Sequence, residues 1–179
     1  MKACVLHGIG DLRCEEVETP TARDGEVLVR VRACGVCGSD IPRVFSKGTY
    51  SFPTIPGHEF AGEVAADGRR AVIFPLIPCG QCPLCKGEHY AQCLNYDYLG
   101  SRRDGGFAEY VSAPEWNILP IPDGLSWEEA AMTEPAAVAL HALRQGNLRA
   151  GETVMIFGAG PIGLLLAAWA EAIGANSVM

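Results

Sequence analysis

The sequence predicts a mixed β and α/β chain: a small barrel or sandwich of short strands, followed by the start of a doubly wound unit. Three observations predict it. Residues 2–112 carry short apolar stretches separated by turn signals every 8–12 residues, the mark of an all-β architecture. Near residue 125 the character changes, and a capping box opens a helical stretch. After Gly151 an apolar strand runs into Gly158-x-Gly160-x-x-Gly163 and then into an apolar helix.

The elements follow in order. Residues 2–7 read as a strand, and Glu26 to Ala33 alternates apolar and charged residues with the period of a half-buried strand. Ser39 to Phe45 reads as one short helix capped by Ser39 or Asp40. Pro53, Pro56 and Gly57 make a turn that delivers His58. Strands are expected at about 60–65, 71–76 and 107–112, with a Gly- and Pro-rich loop lobe at 79–93. Ser126-Trp127-Glu128-Glu129 starts a helix to about Asn147, with Pro135 breaking it early. A strand at Thr153 to Phe157, a helix to about Ile173 and a second strand from Asn176 to Met179 complete the chain. The expected domains are 1–125, a helical connection at 126–150, and a first βα unit at 151–179.

Composition narrows the function. With 179 residues, 49% hydrophobic and 20% charged, the chain is ordinary for a globular protein. Its charge of −7 leaves no basic surface for nucleic acid or an anionic membrane. No secretory signal opens it, and the uncharged run Val154 to Ala170 is broken by glycines and Pro161, which argues against a membrane span. A cytoplasmic location is expected, where thiols stay reduced, so the eight cysteines need a role other than disulfides.

Cys79, Cys82, Cys85 and Cys93 offer four thiols on one short loop. Two-residue spacers let neighbouring thiolates converge on a tetrahedral zinc, and a site with four protein ligands is closed and structural. An iron–sulfur cluster is the competing reading. His89 inside the loop reads as a surface residue. Cys37-Gly38-Ser39-Asp40 and Gly57-His58-Glu59 are each weak alone. Together they offer a thiolate, an imidazole and a carboxylate, the donor set of a catalytic zinc. Asp40 is placed to fix the His58 tautomer and Ser39 to pass a proton. Cys34 and Cys37 also form a C-x2-C, which leaves a redox pair or half of another zinc site open.

Gly158, Gly160 and Gly163, with Pro161 and Ile162 between them, follow a strand and open a helix, the context of a dinucleotide fingerprint. NAD and NADP are not distinguished, because the acidic residue that reads the ribose falls beyond the sequence.

A closed four-cysteine lobe, an open Cys/His/Glu site and a dinucleotide turn, in that order, resemble the zinc-containing medium-chain dehydrogenase/reductase family, its polyol branch in particular. The segments CGSDIPRVFSKGTY, PGHEFAGEV, PCGQCPLCKGEHYAQC and YDYLGSRRDGGFAEY carry the resemblance. It implies a GroES-like β-barrel catalytic domain followed by a truncated Rossmann domain. It implies two zinc ions per chain, NAD or NADP, and hydride transfer from a secondary alcohol of a polyol or polyol phosphate. Cys37, His58, Glu59 and Glu134 match the catalytic-zinc residues, Ser39 the proton relay, and Cys79, Cys82, Cys85 and Cys93 the structural zinc. Gly158 to Gly163 match the cofactor turn. A phosphorylated substrate needs cationic anchors, for which Arg43, Arg102 and Arg103 are candidates, and Tyr50 is a candidate pocket residue. The loop between Glu63 and Ala71 is shorter than the family's, which is expected to shift the barrel locally. The alternatives are a dehydrogenase of an unphosphorylated polyol or amino alcohol, and a non-enzymatic zinc-binding module. The chain alone is expected to be poorly active or inactive. A homo-oligomer is compatible with the family.

Overall fold

The computed structural model describes residues 1–178, so Met179, the end of the expected last strand, lies outside the described residues. They divide into two compact units, Met1–Ala131 and a second that begins at Met132. The helical stretch expected to connect two domains is thus shared between them.

In the first unit β1 (Lys2–Gly8) and β2 (Asp11–Glu16) form an antiparallel hairpin. Gly10 turns it with φ +79°, a conformation that favours glycine. The second strand of this hairpin has no counterpart in the sequence reading. DLRCEE lacks the apolar alternation that marks a half-buried strand, and most of it is exposed.

β3 (Glu26–Gly35) leads to α1 (Asp40–Pro42), which runs on into a π-helical turn at Arg43–Lys47. The expected single helix is therefore split. Ser39 at the N-cap makes no side-chain cap, and the Asp40 carboxylate instead accepts the Cys37 N–H at 3.0 Å. β4 (Glu59–Val64), β5 (Arg70–Ile73) and β6 (Leu76–Ile77) follow, then α2 (Pro83–Lys86) and β7 (Asp97–Tyr98). β8 (Tyr110–Pro114), β9 (Ile118–Pro120) and α3 (Trp127–Ala131) complete the unit. The strand expected at 107–112 begins three residues late, because Phe107 bonds across to Cys4 and Pro56 instead.

The main sheet is five-stranded and antiparallel, in the order β8-β3-β4-β5-β9. One face buries Val29, Phe60, Val64, Ile73 and Val111. Fully burying a side chain such as Phe60 contributes about 1.5–3 kcal/mol. The short loop at 64–70 closes cleanly: Val64 N–H donates to Arg69 O at 2.9 Å and Gly68 N–H to Val64 O at 2.8 Å. It leaves the β4–β5 pairing intact from Ala61 to Glu63, so the loop's brevity is absorbed at the turn.

The capping box ahead of α3 forms as expected. Glu129 N–H donates to Ser126 Oγ at 3.2 Å, and Ser126 N–H to the Glu129 carboxylate at 2.9 Å. Ala130 and Ala131 pack on Ala61 and Val72 of the sheet.

The second unit holds α4 (Thr133–Gln145), β10 (Thr153–Met155), α5 (Pro161–Ile173) and β11 (Asn176–Val178). The break between α3 and α4 falls at Met132, ahead of Pro135. A proline ring clashes with the carbonyl four residues back and lacks an N–H, so Pro135 fits only the first turn of a new helix. β10 and β11 are parallel, with α5 as the crossover, and Trp169 Nε1–H donates to Ala136 O at 2.9 Å between α5 and α4. Among the described residues no helix is long and apolar enough to cross a membrane.

Candidate functional site

Two groups of donor side chains converge in the first unit. Cys37, His58 and Glu59 place one ligand atom each within 4.8 Å of one another, and so do Cys79, Cys82, Cys85 and Cys93.

The first group is assembled by the β3–β4 register. Gly35, at the end of β3, lies directly opposite Glu59, the first residue of β4. A Cβ at Gly35 would run into the Glu59 carboxylate, so glycine leaves the space that this side chain occupies. Cys37 follows two residues after Gly35, and His58 directly precedes Glu59. His58 and Glu59 are buried. Gly57, at φ +94°, turns the chain into them, and a Cβ there would meet the Phe107 ring.

Asp40 organises the surroundings. It is 2% exposed, accepts the Cys37 N–H, and pairs with Arg43 at 2.5 Å. His58 Nδ1 lies 3.6 Å from Asp40 Oδ1 and is otherwise a buried nitrogen without a hydrogen bond. Burial acts to raise the Asp40 carboxyl, but His58, the Cys37 amide and Arg43 outweigh it and hold it below the usual carboxylate range. For Cys37, burial and the nearby Glu59 carboxylate push the thiol up against the lowering hydrogen bonds of Ser39. A half-buried thiol facing a buried carboxylate and a buried imidazole offers three donor atoms that one divalent cation can bridge. The donor set suits zinc.

The hydroxyl-bearing Ser39 is exposed beside this group, its N–H 3.5 Å from Cys37 Sγ. A cavity of about 360 Å³ opens there, lined by Ser39, Arg43, Tyr50, His58, Tyr96 and Tyr98 among others. The structure thus brings Arg43 and Tyr50 to His58. The Arg102 guanidinium stacks on Tyr50 and Tyr96, with centroid distances of 4.0 and 4.6 Å. Arg103 faces differently: it donates to Glu26 at 2.8 Å and lies 3.9 Å from Asp97. That pairing spans 77 residues and carries no local sequence signal.

In the four-cysteine lobe, three of the thiols are buried. Cys79 Sγ and Cys85 Sγ are 4.0 Å apart. Four sulfurs at about 2.3 Å from one zinc stand about 3.8 Å from each other, so the spacing fits a single ion. An iron–sulfur cluster, which spreads its cysteines over several irons, needs them farther apart than the 4.8 Å found here. Backbone N–H groups of Leu94 and Cys85 lower the Cys82 thiol to about 6, and those of Gln81 and Cys82 lower Cys79. His89 is exposed, as expected.

In the second unit Glu134 sits half-buried in the first turn of α4. Gly158 has φ +111°, Gly160 is the N-cap of α5, and Pro161 and Ile162 start the helix. A Cβ at Gly163 would collide with the Gly158 carbonyl and touch Ile156, so only glycine lets the helix approach the strand this closely.

Gly35→Ala is expected to be destabilising by about 1–3 kcal/mol, the cost of overpacking a filled site. A denaturant midpoint that does not move would show that Glu59 relaxes freely away from β3.

Comparison with known proteins places this geometry. Residues 23–123 match the alcohol dehydrogenase GroES-like domain. The chain is 40% identical to galactitol 1-phosphate 5-dehydrogenase of Escherichia coli (strain K12), covering 99% of this chain and 54% of that protein. It is 37% identical to sorbitol dehydrogenase of Bacillus subtilis (strain 168), covering 100% and 55%. The crystal structure of a putative zinc-binding dehydrogenase from Sinorhizobium meliloti 1021 bound to NADP superposes with a TM-score of 0.91 at 37% identity, covering 97% of this chain and 54% of that one. The chain spans about half the length of the relatives it matches. The family match covers more than half of the chain, including the five-stranded sheet and both donor groups, and the chain belongs to the alcohol dehydrogenase GroES-like domain family.

Proposed function

We propose that this chain carries the zinc sites, the substrate cavity and the first part of the cofactor site of an NAD- or NADP-dependent dehydrogenase acting on a polyol or polyol phosphate. The convergence of Cys37, His58 and Glu59 within 4.8 Å carries the reading. The domain roles follow: residues 1–125 hold the catalytic and zinc-binding machinery, 126–150 connect, and 151–179 begin the cofactor-binding domain.

Cys37, His58 and Glu59, with Glu134 from α4 as direct ligand or through a water, would hold the catalytic zinc. Cys79, Cys82, Cys85 and Cys93 would hold a structural one. Zinc supplies a Lewis acid that lowers the pKa of an alcohol. Around it the side chains have separate tasks. Asp40 faces Nδ1 of His58 and fixes the ring orientation. Ser39, exposed at the cavity mouth, carries the alcohol proton toward solvent. The backbone N–H groups from Gly158 to Gly163, all but that of Pro161, and the N-terminus of α5 bind the cofactor pyrophosphate.

Arg43 and Arg102 are the phosphate anchors. Arg43 lines the cavity beside His58 while paired with Asp40, and the Arg102 guanidinium stacks on Tyr50, one of the cavity's lining residues. Arg103, spent on Glu26, contributes structure. The relatives that act on galactitol 1-phosphate and on sorbitol support the substrate class.

The test has two arms. Elemental analysis of the purified chain is expected to give two zinc ions; one or none overturns the open site. In a protein that joins these residues to the remaining length of the relatives, Arg102→Ala, which leaves the Asp40–Arg43 pair intact, is expected to raise KM about tenfold or more for a polyol phosphate and little for the plain polyol. Equal effects on both substrates would remove the phosphate reading and leave the polyol one.

A further inference from the structure

Cys4 and Cys14 lie outside both donor groups. They are direct partners across the β1–β2 hairpin. Opposed residues of an antiparallel pair alternate between hydrogen-bonded and non-hydrogen-bonded positions. The phase of this hairpin is fixed by Met1 and Val17, which exchange both bonds: Met1 N–H donates to Val17 O at 2.8 Å, and Val17 N–H to Met1 O at 2.9 Å. Counting inward, odd-numbered positions of β1 face β2 with their N–H groups. Even positions turn theirs away: Lys2 to Glu109, Cys4 to Phe107 at 2.8 Å and Leu6 to Thr54 at 2.8 Å. Cys4 and Cys14 are thus a non-hydrogen-bonded pair, the class whose Cα atoms stand about 4.5 Å apart with side chains on one face. A disulfide takes Cα separations of about 4.4–6.8 Å, so the backbone need not open to admit one.

Access completes the arrangement. Cys14 is exposed and Cys4 half-buried on that face. We propose that Cys4 and Cys14 form a reversible disulfide that staples β2, the outer strand of the hairpin, to β1. The oxidant is a low-molecular-weight disulfide such as oxidised glutathione. Cys14, as thiolate, attacks one of its sulfurs and forms a mixed disulfide. The first glutathione leaves as thiolate and takes up the proton lost by Cys14. Cys4, as thiolate, then attacks the Cys14 sulfur, closes the intrachain bond and expels the second glutathione, which takes up the proton lost by Cys4. Two thiols are oxidised and one disulfide is reduced. Burial, then the neighbouring Cys14, raise the Cys4 thiol, which leaves the first attack to the exposed partner.

The site is independent of the zinc and dehydrogenase reading. The native chain, purified without chelator, is treated with oxidised glutathione, blocked, and digested with trypsin without reductant. Cleavage after Lys2, Arg13 and Arg23 separates Cys4 and Cys14 into two peptides, 3–13 and 14–23. The expected result is a linked pair of these peptides, an intact mass lower by about 2 Da, and full reversal by excess reduced glutathione. Two of the eight cysteines should be lost to thiol titration of the unfolded chain. Cys4→Ser is expected to stop at the mixed disulfide on Cys14, and Cys14→Ser to leave Cys4 unmodified. Stable glutathione adducts without a link overturn the proposal. So do oxidation confined to Cys79, Cys82, Cys85 and Cys93, or a 4–14 link that appears only after unfolding.

Discussion

A Cys82→Ser chain is expected to bind one zinc ion fewer than its parent and to lose the order of residues 79–98, while the five-stranded sheet persists. The reason lies in what holds that lobe. Its buried residues are largely the thiols themselves, with Leu84, Tyr90 and Tyr96 packed around them, and its regular structure amounts to α2, a 3-10 turn at Tyr90–Gln92 and two short strands. Without a metal there is little apolar surface to offset the entropy of ordering such a loop. A four-ligand zinc site contributes that folding free energy directly. Hydrogen exchange read peptide by peptide, beside elemental analysis, checks both halves of the expectation. Fast exchange in 79–98 with slow exchange in β3 and β4 is the predicted pattern. A lobe that stays protected without its metal would show that packing suffices.

Zinc binding to the same lobe has a pH dependence with a definite sign. In the metal-free chain the Cys82 thiol is lowered to about 6, because backbone N–H groups of Leu94 and Cys85 bond the thiolate. Cys82 by itself then contributes stability that is complete above the unfolded value near 8.5 and is lost as pH falls through about 6, while Cys85, pushed up to about 12 by burial and the neighbouring thiols, acts in the opposite sense. Zinc affinity falls as pH falls, since protons compete for the ligands. Chelator-induced loss of the lobe should therefore be faster at pH 6 than at pH 8.

The contrast between the two donor groups explains what was legible in the sequence. The four cysteines lie within fifteen residues on one loop, so spacing alone brings them together. The other group is split between residues 37 and 58–59, and only the β3–β4 register joins its halves. The residue types announced the chemistry; the pairing of Gly35 with Glu59 made the site, and no local pattern marks a glycine whose missing Cβ houses a carboxylate. The hairpin strand β2 was invisible for the converse reason. It is held by backbone pairing to β1 and buries almost nothing, whereas hydrophobic periodicity reports only burial. The helix break at Met132 needed one step more than noting Pro135: the clash of a proline acts four residues upstream.

Asp40 is where the largest loss of stability is expected. One carboxylate, 2% exposed, receives the Cys37 N–H, the Arg43 guanidinium and the approach of His58 Nδ1. Asp40→Ala removes the carboxylate that pairs with Arg43 and strands the Cys37 amide. Removing one partner of a fully buried ion pair costs about 3–5 kcal/mol, and the 17% exposure of the Arg43 side chain puts this loss at or below the lower end of that range. Asp40→Asn keeps the shape and an acceptor for the Cys37 N–H, and gives up the charge. It is expected to cost less in stability yet to weaken zinc binding at Cys37, His58 and Glu59, since His58 loses the anion that orients it. The two substitutions therefore separate packing from electrostatics: equal denaturant midpoints for the two would show that the lost charge accounts for the whole effect, and an Asp40→Asn midpoint equal to the parent's would show that the charge is immaterial. Acid titration gives a second reading. The Asp40 carboxyl is held below its usual value, so its contribution is complete above about pH 4 and is lost as pH falls below that, through the lowered value. The parent chain should lose stability in that acid range more steeply than Asp40→Asn, and parallel curves would mean that the buried carboxylate does not govern the acid limb.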